Sequence, residues 1–411
     1  MAAPAVLHLA PMRAHPSGLA VTALLTAMVA LGPLSTDLYL PSLPALRAAF
    51  GASIGEVQLT LSVFLAGLAG GQLFYGPLSD RFGRRPVLLA GVAIYVIASI
   101  ACVAAQGIGS LIVARFVQAA GAGAGPVVCR AIVRDVHGRE GSARILSYMG
   151  AAMALAPALG PVLGGLVEAS AGWRANFAVL AAYGIAGLAL TFAALPETVP
   201  DSRSDATTLS GLLRGYLGLL TERSYMGYVV CSALAYGGIF SFISGSSFVF
   251  VEIVGLSPPV YGLCFGAIVL GYMAGTLAAG RLTRRLGIEW MVRNGGFVSA
   301  AGGLALLLSV LAFGASVPGI LLPTVFYMVR TGLVLPNAMA GAIGPFPRLA
   351  GTAAALLGFI QMGVAALIGA AIGHLADGTA RPMAAAIALC GLLQPLVYRL
   401  LIGGGSTSAG R

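Results

Sequence analysis

The chain has 411 residues, of which 58% are hydrophobic and 9% charged, with a formal net charge of +10. That balance excludes an aqueous globular protein, in which about a quarter of residues are charged, and it leaves no soluble domain of normal size between the apolar runs. Lysine is absent, and the positive residues are 23 arginines spread over short loops; anionic lipid head groups and topology account for that charge better than nucleic acid does.

In chain order, twelve apolar runs lie near 17–40, 56–76, 87–105, 109–130, 143–167, 174–195, 224–251, 259–280, 291–313, 318–342, 350–375 and 382–402. Each is close to the roughly 20 residues that cross a bilayer as a helix. The first is too long for the apolar core of a signal peptide and reads as a retained helix. Between the sixth and seventh runs the gap widens to Pro196–Arg223, which opens Pro-Glu-Thr and is rich in Asp, Ser and Thr. It marks a linker. Within it, Leu209–Leu220 reads as an amphipathic segment, too short to span, lying at the cytoplasmic surface.

The arginines set the orientation. Arg13, Arg81, Arg84, Arg85, Arg130, Arg134, Arg139, Arg144, Arg203, Arg214, Arg223, Arg281, Arg284, Arg285, Arg293, Arg348, Arg399 and Arg411 fall in the two tails and alternate gaps. Only Arg47, Arg174 and Arg381 fall in the other gaps. Positive residues in short loops stay cytoplasmic during insertion, so both termini are expected in the cytoplasm. The five cysteines lie in apolar runs without metal-ligand spacing, and the four histidines are scattered. Neither set suggests a metal site, a catalytic group or a cofactor.

An internal repeat is visible. Gly76-Pro-Leu-Ser-Asp-Arg-Phe-Gly83 matches Gly280-Arg-Leu-Thr-Arg-Arg-Leu-Gly287 at an offset of 204 residues, with Arg284 standing where the first copy has Asp80. Six spans have therefore been duplicated. The expected units are an amino-terminal bundle over 1–195, a linker over 196–223 and a carboxy-terminal bundle over 224–411.

Four motifs carry chemistry. The first is the loop at Gly76, Asp80, Arg81, Gly83, Arg84 and Arg85. Its glycines permit a sharp turn, and Asp80 suits a helix N-terminus of the opposite half and a neighbouring arginine. Arg134 and Asp135, after the fourth run, are the candidate partners. The second is Arg115, deep in the fourth run, which costs about 2.5–3.5 kcal/mol unless paired or hydrated. Asp37, at similar depth in the first run, is its expected partner; Glu56, near the outer end of the second run, is the next candidate to carry a proton should Asp37 not do so. The third is the fifth run, with Pro157, Gly160, Pro161, Gly164 and Gly165, where prolines kink a helix and glycines let a neighbour close on it. The fourth is Thr36-Asp-Leu-Tyr-Leu-Pro-Ser-Leu-Pro44.

Together these resemble the major facilitator superfamily, and the span-1 and span-5 elements resemble its drug:proton antiporters of the bicyclomycin- and chloramphenicol-exporter branch. The fifth-run match is incomplete, with Ala156 in place of the first glycine. The resemblance implies an all-α membrane protein of twelve helices in two pseudo-symmetric six-helix bundles. It also implies a non-enzymatic, monomeric exporter in the bacterial inner membrane. Such a protein moves small lipophilic drugs by alternating access, driven by a proton gradient and without a cofactor. Asp37 and Arg115 would couple the proton, the Gly76–Arg85 loop with Arg134 and Asp135 would gate, and the fifth run would hinge. Tyr39, Gln118, Tyr236, Phe240, Tyr327, Arg330 and Asn337 are the expected substrate contacts, since aromatic faces with few polar groups suit amphiphiles. Arg330 could equally bond carbonyls freed by Pro323 and Pro336. A transporter of a sugar, amino acid or polyol on the same fold is the alternative.

Overall fold

A computed structural model describes residues 18–198, 209–347 and 349–403. Arg13, Arg203, Arg348, Arg411 and linker residues 199–208 lie outside them, as do the side chains of Arg139 and Arg144. The described residues are helical with no strand. The first run is broken into α1 (Leu19–Val29), α2 (Leu31–Asp37), a 3-10 turn (Leu40–Ser42) and α3 (Leu43–Phe50). Its two parts bend by 44°. Pro33, Pro41 and Pro44 lie in this stretch, and each removes a backbone donor that a straight helix needs.

The chain continues through α4 (Ile54–Phe82), α5 (Arg84–Val103), α6 (Ile108–Ala122), the long α7 (Ala124–Ala171) and α8 (Trp173–Ala194). After the linker come α9 (Leu209–Thr221), α10 (Arg223–Ser247), α11 (Pro258–Phe313), α12 (Val317–Ile343), α13 (Ala350–His374) and α14 (Arg381–Val397). The repeat seen in sequence has a backbone signature. Gly83, between α4 and α5, has φ +93°, and Gly287, at the break within α11, has φ +79°. Glycine enters this left-handed region without steric cost.

Among the described residues, ten helices are long and apolar enough to cross a membrane, and eleven if the bent first pair counts as one. The expected fifth span is represented by a shorter apolar helix, Leu155–Ala171, at the end of α7. The surface is that of a protein solvated by lipid. Ile97, Phe192, Leu277 and Leu367 are 66–72% exposed, whereas Arg115, Gln118, Asn176 and Ser244 are fully buried. Polar groups inside and apolar groups outside invert the soluble pattern.

Within the first part of the chain α5 packs on α6 and α8, α4 on α6, and α1 and α2 on α7; later, α11 packs on α12 and α14, and α10 on α13 and α14. The two sets meet along α4–α13 and α7–α11. At the arginine-poor end this junction is tight. A Cβ on Gly55, Gly165 or Gly262 would come within 3.1, 2.5 and 2.5 Å of the carbonyl oxygens of Gly373, Pro258 and Pro161. Small residues thus let the helices touch backbone to backbone. There too the Gln58 side chain donates to the Ser244 carbonyl at 3.0 Å. Toward the arginine-rich end the junction holds a crevice of about 420 Å³. The α9 segment has the amphipathic character read from sequence, burying Leu219 and exposing Leu213, Leu217 and Leu220.

Candidate transport and gating site

Asp37 is the last residue of α2 and is almost completely buried. Its one hydrogen bond among the described residues is from the Thr36 hydroxyl, at 3.3 Å. Glycines of α7 pack against this break: a Cβ on Gly160 would lie 2.9 Å from Asp37 Cβ, and one on Gly164 would collide with the Leu38 carbonyl. The fifth-run motif is therefore the surface on which the break in the first run rests, and Gly165 and Pro161 carry the same helix against α11.

Arg115 differs from expectation. It is fully buried, but no ion pair joins it to Asp37; the ion pairs of the described residues include Arg47–Glu252, Arg84–Asp80 and Arg84–Asp135. The guanidinium instead lies 4.3 Å from the Tyr39 ring centroid, 4.1 Å from Phe64 and 5.8 Å from Phe177. Aromatic faces attract a cation most strongly when water is excluded. Nη1 donates to Gln118 Oε1 at 2.6 Å, and the Gln118 amide donates to Ser99 Oγ at 2.8 Å. Arg115 Nε and Nη2 have no partner. Tyr39, two residues beyond Asp37 and bonded through its hydroxyl to Thr60, occupies the face on which the carboxylate was expected.

The loop expected to gate is organised by Arg84 rather than by Asp80. The Arg84 side chain is 6% exposed and bonds Asp80 at 2.6 Å, Asp135 at 2.9 Å and Ser79 Oγ at 2.7 Å. Arg134, offered with Asp135 as a partner of Asp80, is exposed and lines the crevice with Gly76, Asp80, Arg84, Asp135, Tyr216 and Thr352. Arg81 lies over the Phe82 ring, and Arg85 donates to the Phe192 carbonyl at 2.8 Å. Glu197, of the Pro-Glu-Thr element, has a role that sequence reasoning missed. Its carboxylate accepts the backbone N–H groups of Arg84 and Arg85 at 2.9 and 3.1 Å. It thus caps the start of α5 from a distant segment, where free donors favour an anion. Glu56 is also reassigned: with Ser53 it forms a capping box at the start of α4 and is exposed there, a terminus-sealing role.

The expected substrate contacts divide. Tyr236 is half-buried at the junction. Tyr327 is buried against Gly238, with its hydroxyl unpartnered. Phe240 packs on Gly369. Asn337 is engaged at both ends of its amide, accepting from Thr283 at 2.8 Å and donating to the Leu333 carbonyl at 2.7 Å, so it ties α12 to α11. Gln118 is likewise occupied by Arg115 and Ser99. Arg330 is half-buried with Nε unpartnered, near Gly295.

The chain is thus a largely apolar helical protein with an acid buried at a helix break, glycines packed against it and an ion-pair loop at one end. The model of the Major Facilitator Superfamily matches residues 25–397, and the chain belongs to that family. It is 33% identical over 390 residues to an MFS-type transporter of Bacillus subtilis, YdgK, covering 93% of this chain and 96% of that one. It is 29% identical to a bicyclomycin resistance protein homolog of Haemophilus influenzae, covering 92% and 95% of the two chains. With a chloramphenicol resistance protein of Pseudomonas aeruginosa it shares 33% identity over 84% of this chain and 82% of the other. In fold it resembles the crystal structure of a D-xylose–proton symporter, with a TM-score of 0.73 at 17% identity, covering 93% of this chain and 97% of that one. The protein is a multi-pass membrane transporter and not an enzyme.

Proposed function

We propose that the protein exports small lipophilic drugs, of the amphenicol or bicyclomycin kind, across the bacterial inner membrane in exchange for protons. Twelve helices form two six-helix halves, 1–195 and 224–411, joined by the linker 196–223, with both termini in the cytoplasm and one chain as the working unit. The halves rock about a cavity between them, the arrangement general to this superfamily. The single observation that carries the reading is Asp37: a buried carboxyl at a break in its helix, packed on Gly160 of α7. The resistance names of the relatives support a drug rather than a metabolite as cargo.

In this cycle Asp37 releases its proton toward the cytoplasm and regains one from outside. Drug binds the deprotonated form, so the two ligands compete through one group. Arg115, held by its aromatic box against Tyr39, two residues beyond Asp37, is assigned with Asp37 to proton coupling. Each charge moved across the membrane is worth about 2.3 kcal/mol per 100 mV, enough to concentrate a drug outside. The deciding experiment uses purified protein in proteoliposomes with an imposed pH gradient. Chloramphenicol and bicyclomycin should move against their own gradients as protons move down theirs, and absence of proton-linked flux with either drug would overturn the reading.

A further inference from the structure

We infer that Glu168 is a second proton-binding residue of the transport cycle, the station that takes a proton from the medium at the arginine-poor end and passes it to Asp37. The inference rests on the proton-coupled reading above. Glu168 is half-buried near the end of α7, and its Oε2 accepts the hydroxyl proton of Ser42. Ser42 closes the 3-10 turn that follows the helix break at Asp37. Gly160, Gly164 and Glu168 stand at four-residue intervals and so share one face of α7. Along that face Gly160 meets Asp37, Gly164 meets Leu38 and Glu168 meets Ser42. The two carboxyl groups therefore lie on one seam, separated by about 12 Å at 1.5 Å per residue.

A second, independent feature points to a proton at this position. Asn176 of α8 is fully buried, and its Nδ2 donates to Ser42 Oγ at 2.8 Å and to the Gly164 carbonyl at 3.2 Å. A carbonyl can only accept, so the amide's orientation is settled by its partners, and Asn176 Oδ1 is left buried with no donor. Glu168 and Asn176 meet on one hydroxyl: Ser42 donates to the Glu168 carboxylate and accepts from the Asn176 amide. The cluster thus gives the carboxylate a donor in Ser42 and holds, across that hydroxyl, a buried acceptor that only a proton-bearing group can satisfy.

The charged and titratable groups on the packed elements are otherwise engaged. On α8, Arg174 donates to the Ala105 carbonyl and stacks on Trp173. On α3, Arg47 pairs with Glu252 of the segment after α10. On α11, Tyr261 bonds Ser246, and Tyr39 bonds Thr60. Among the described residues Glu168 is in no ion pair, and its side-chain bond is the one from Ser42. In the step itself, hydronium from the medium gives its proton to the Glu168 carboxylate and leaves as water. With the seam open, that proton crosses by cavity water to the Asp37 carboxylate, and Glu168 returns to its anion.

The test compares Glu168→Gln, which keeps size and an acceptor but cannot ionise, with Glu168→Asp. In proteoliposomes loaded to accumulate chloramphenicol, the rate is measured against the pH on the Glu168 side. The glutamine variant should lose that pH dependence, and the aspartate variant should retain it with a displaced midpoint. A glutamine variant with the wild-type profile overturns the inference. Infrared titration of the purified protein without drug or gradient supplies a second readout, a protonated carboxyl band recorded in the Asp37→Asn variant, where Asp37 does not contribute, and missing when Glu168→Gln is added. Absence of that band from the Asp37→Asn variant also overturns it. If the band titrates as expected but wild type shows no proton-driven flux, the exporter reading fails while Glu168 stands as a proton-binding site.

Discussion

Arg47 Nη1 lies 2.5 Å from Glu252 Oε2, joining α3 to the π-helical turn after α10 across 205 residues of chain. It borders a cavity of about 740 Å³ that also contains Gln58, His374 and Met383. The pair bridges α3 and the turn after α10 at the arginine-poor end of the junction, and it lines this cavity together with Gly55 and Gly373. It is partly exposed, so its strength is that of a surface ion pair, about 0.2–1 kcal/mol.

Breaking this latch should therefore shift the balance of states modestly. Glu252→Gln should raise the population open at the arginine-poor end by roughly 1.5- to 5-fold, the factor that such a pair supports. Distances between spin labels on α3 and after α10 would report it. The reversed pair, Arg47→Glu with Glu252→Arg, should restore the original distribution. Failure of the reversed pair to restore it would assign the effect to something other than their attraction.

At the opposite end the Glu197 cap makes a different claim. Glu197→Ala frees two backbone donors at the start of α5 and should destabilise by about 0.5–2 kcal/mol, the usual range for a lost cap. Asp80→Asn should cost less thermal stability, because Arg84 keeps Asp135 and Ser79, but it should slow turnover by weakening the loop's charged contact. Melting temperature in detergent and transport rate in vesicles separate the two. If Asp80→Asn exports at the wild-type rate, the loop is a packing feature and not a gate.

The glycines of α7 can be tested by adding one methyl group. Gly164→Ala would drive a Cβ into the Leu38 carbonyl, which is backbone and cannot rotate away, so we expect about 1–3 kcal/mol of destabilisation from overpacking together with loss of transport. Gly70→Ala is the control, since nothing lies within 4 Å of its added carbon. Equal stability of the two variants would remove the close α7–α2 contact from the argument.

Local signals were legible in the sequence, and choices of distant partner were not. The match of Gly83 with Gly287 could be read because both glycines serve a turn that any copy of the motif must make. The Gly160–Gly165 stretch could be read as a place of close approach, since small residues beside prolines have few other uses in a membrane helix. What approaches them could not be read. Arg115 illustrates why: a buried cation demands compensation, and the only carboxylate at its depth was the natural guess. The compensation comes instead from rings on three other elements, Tyr39, Phe64 and Phe177, whose convergence depends on helix rotation and on the break after Asp37. Glu197 was similarly hidden, 113 residues from the Arg84 amide that it caps.

The proton-coupling prediction concerns Asp37 and Arg115 together. Asp37→Asn preserves the shape at the helix break and the packing on Gly160 but cannot bind and release a proton. Drug accumulation driven by a pH difference should be abolished, while exchange of an uncharged drug down its own gradient should persist. Arg115 has no ion-pair partner to strand, so its loss should act through the aromatic box, whose cation–π contacts are worth about 0.5–2 kcal/mol when desolvated. Arg115→Met fills the box with apolar bulk and should remain folded yet lose coupling. Arg115→Lys keeps the charge but not the planar guanidinium that stacks on Tyr39 and Phe64 and reaches Gln118, and it should recover coupling only in part. The measurement is pH-driven chloramphenicol accumulation with the membrane potential collapsed. Accumulation by the Asp37→Asn variant at the wild-type level would show that the essential proton is carried elsewhere; accumulation by Arg115→Met would show that the box is structural.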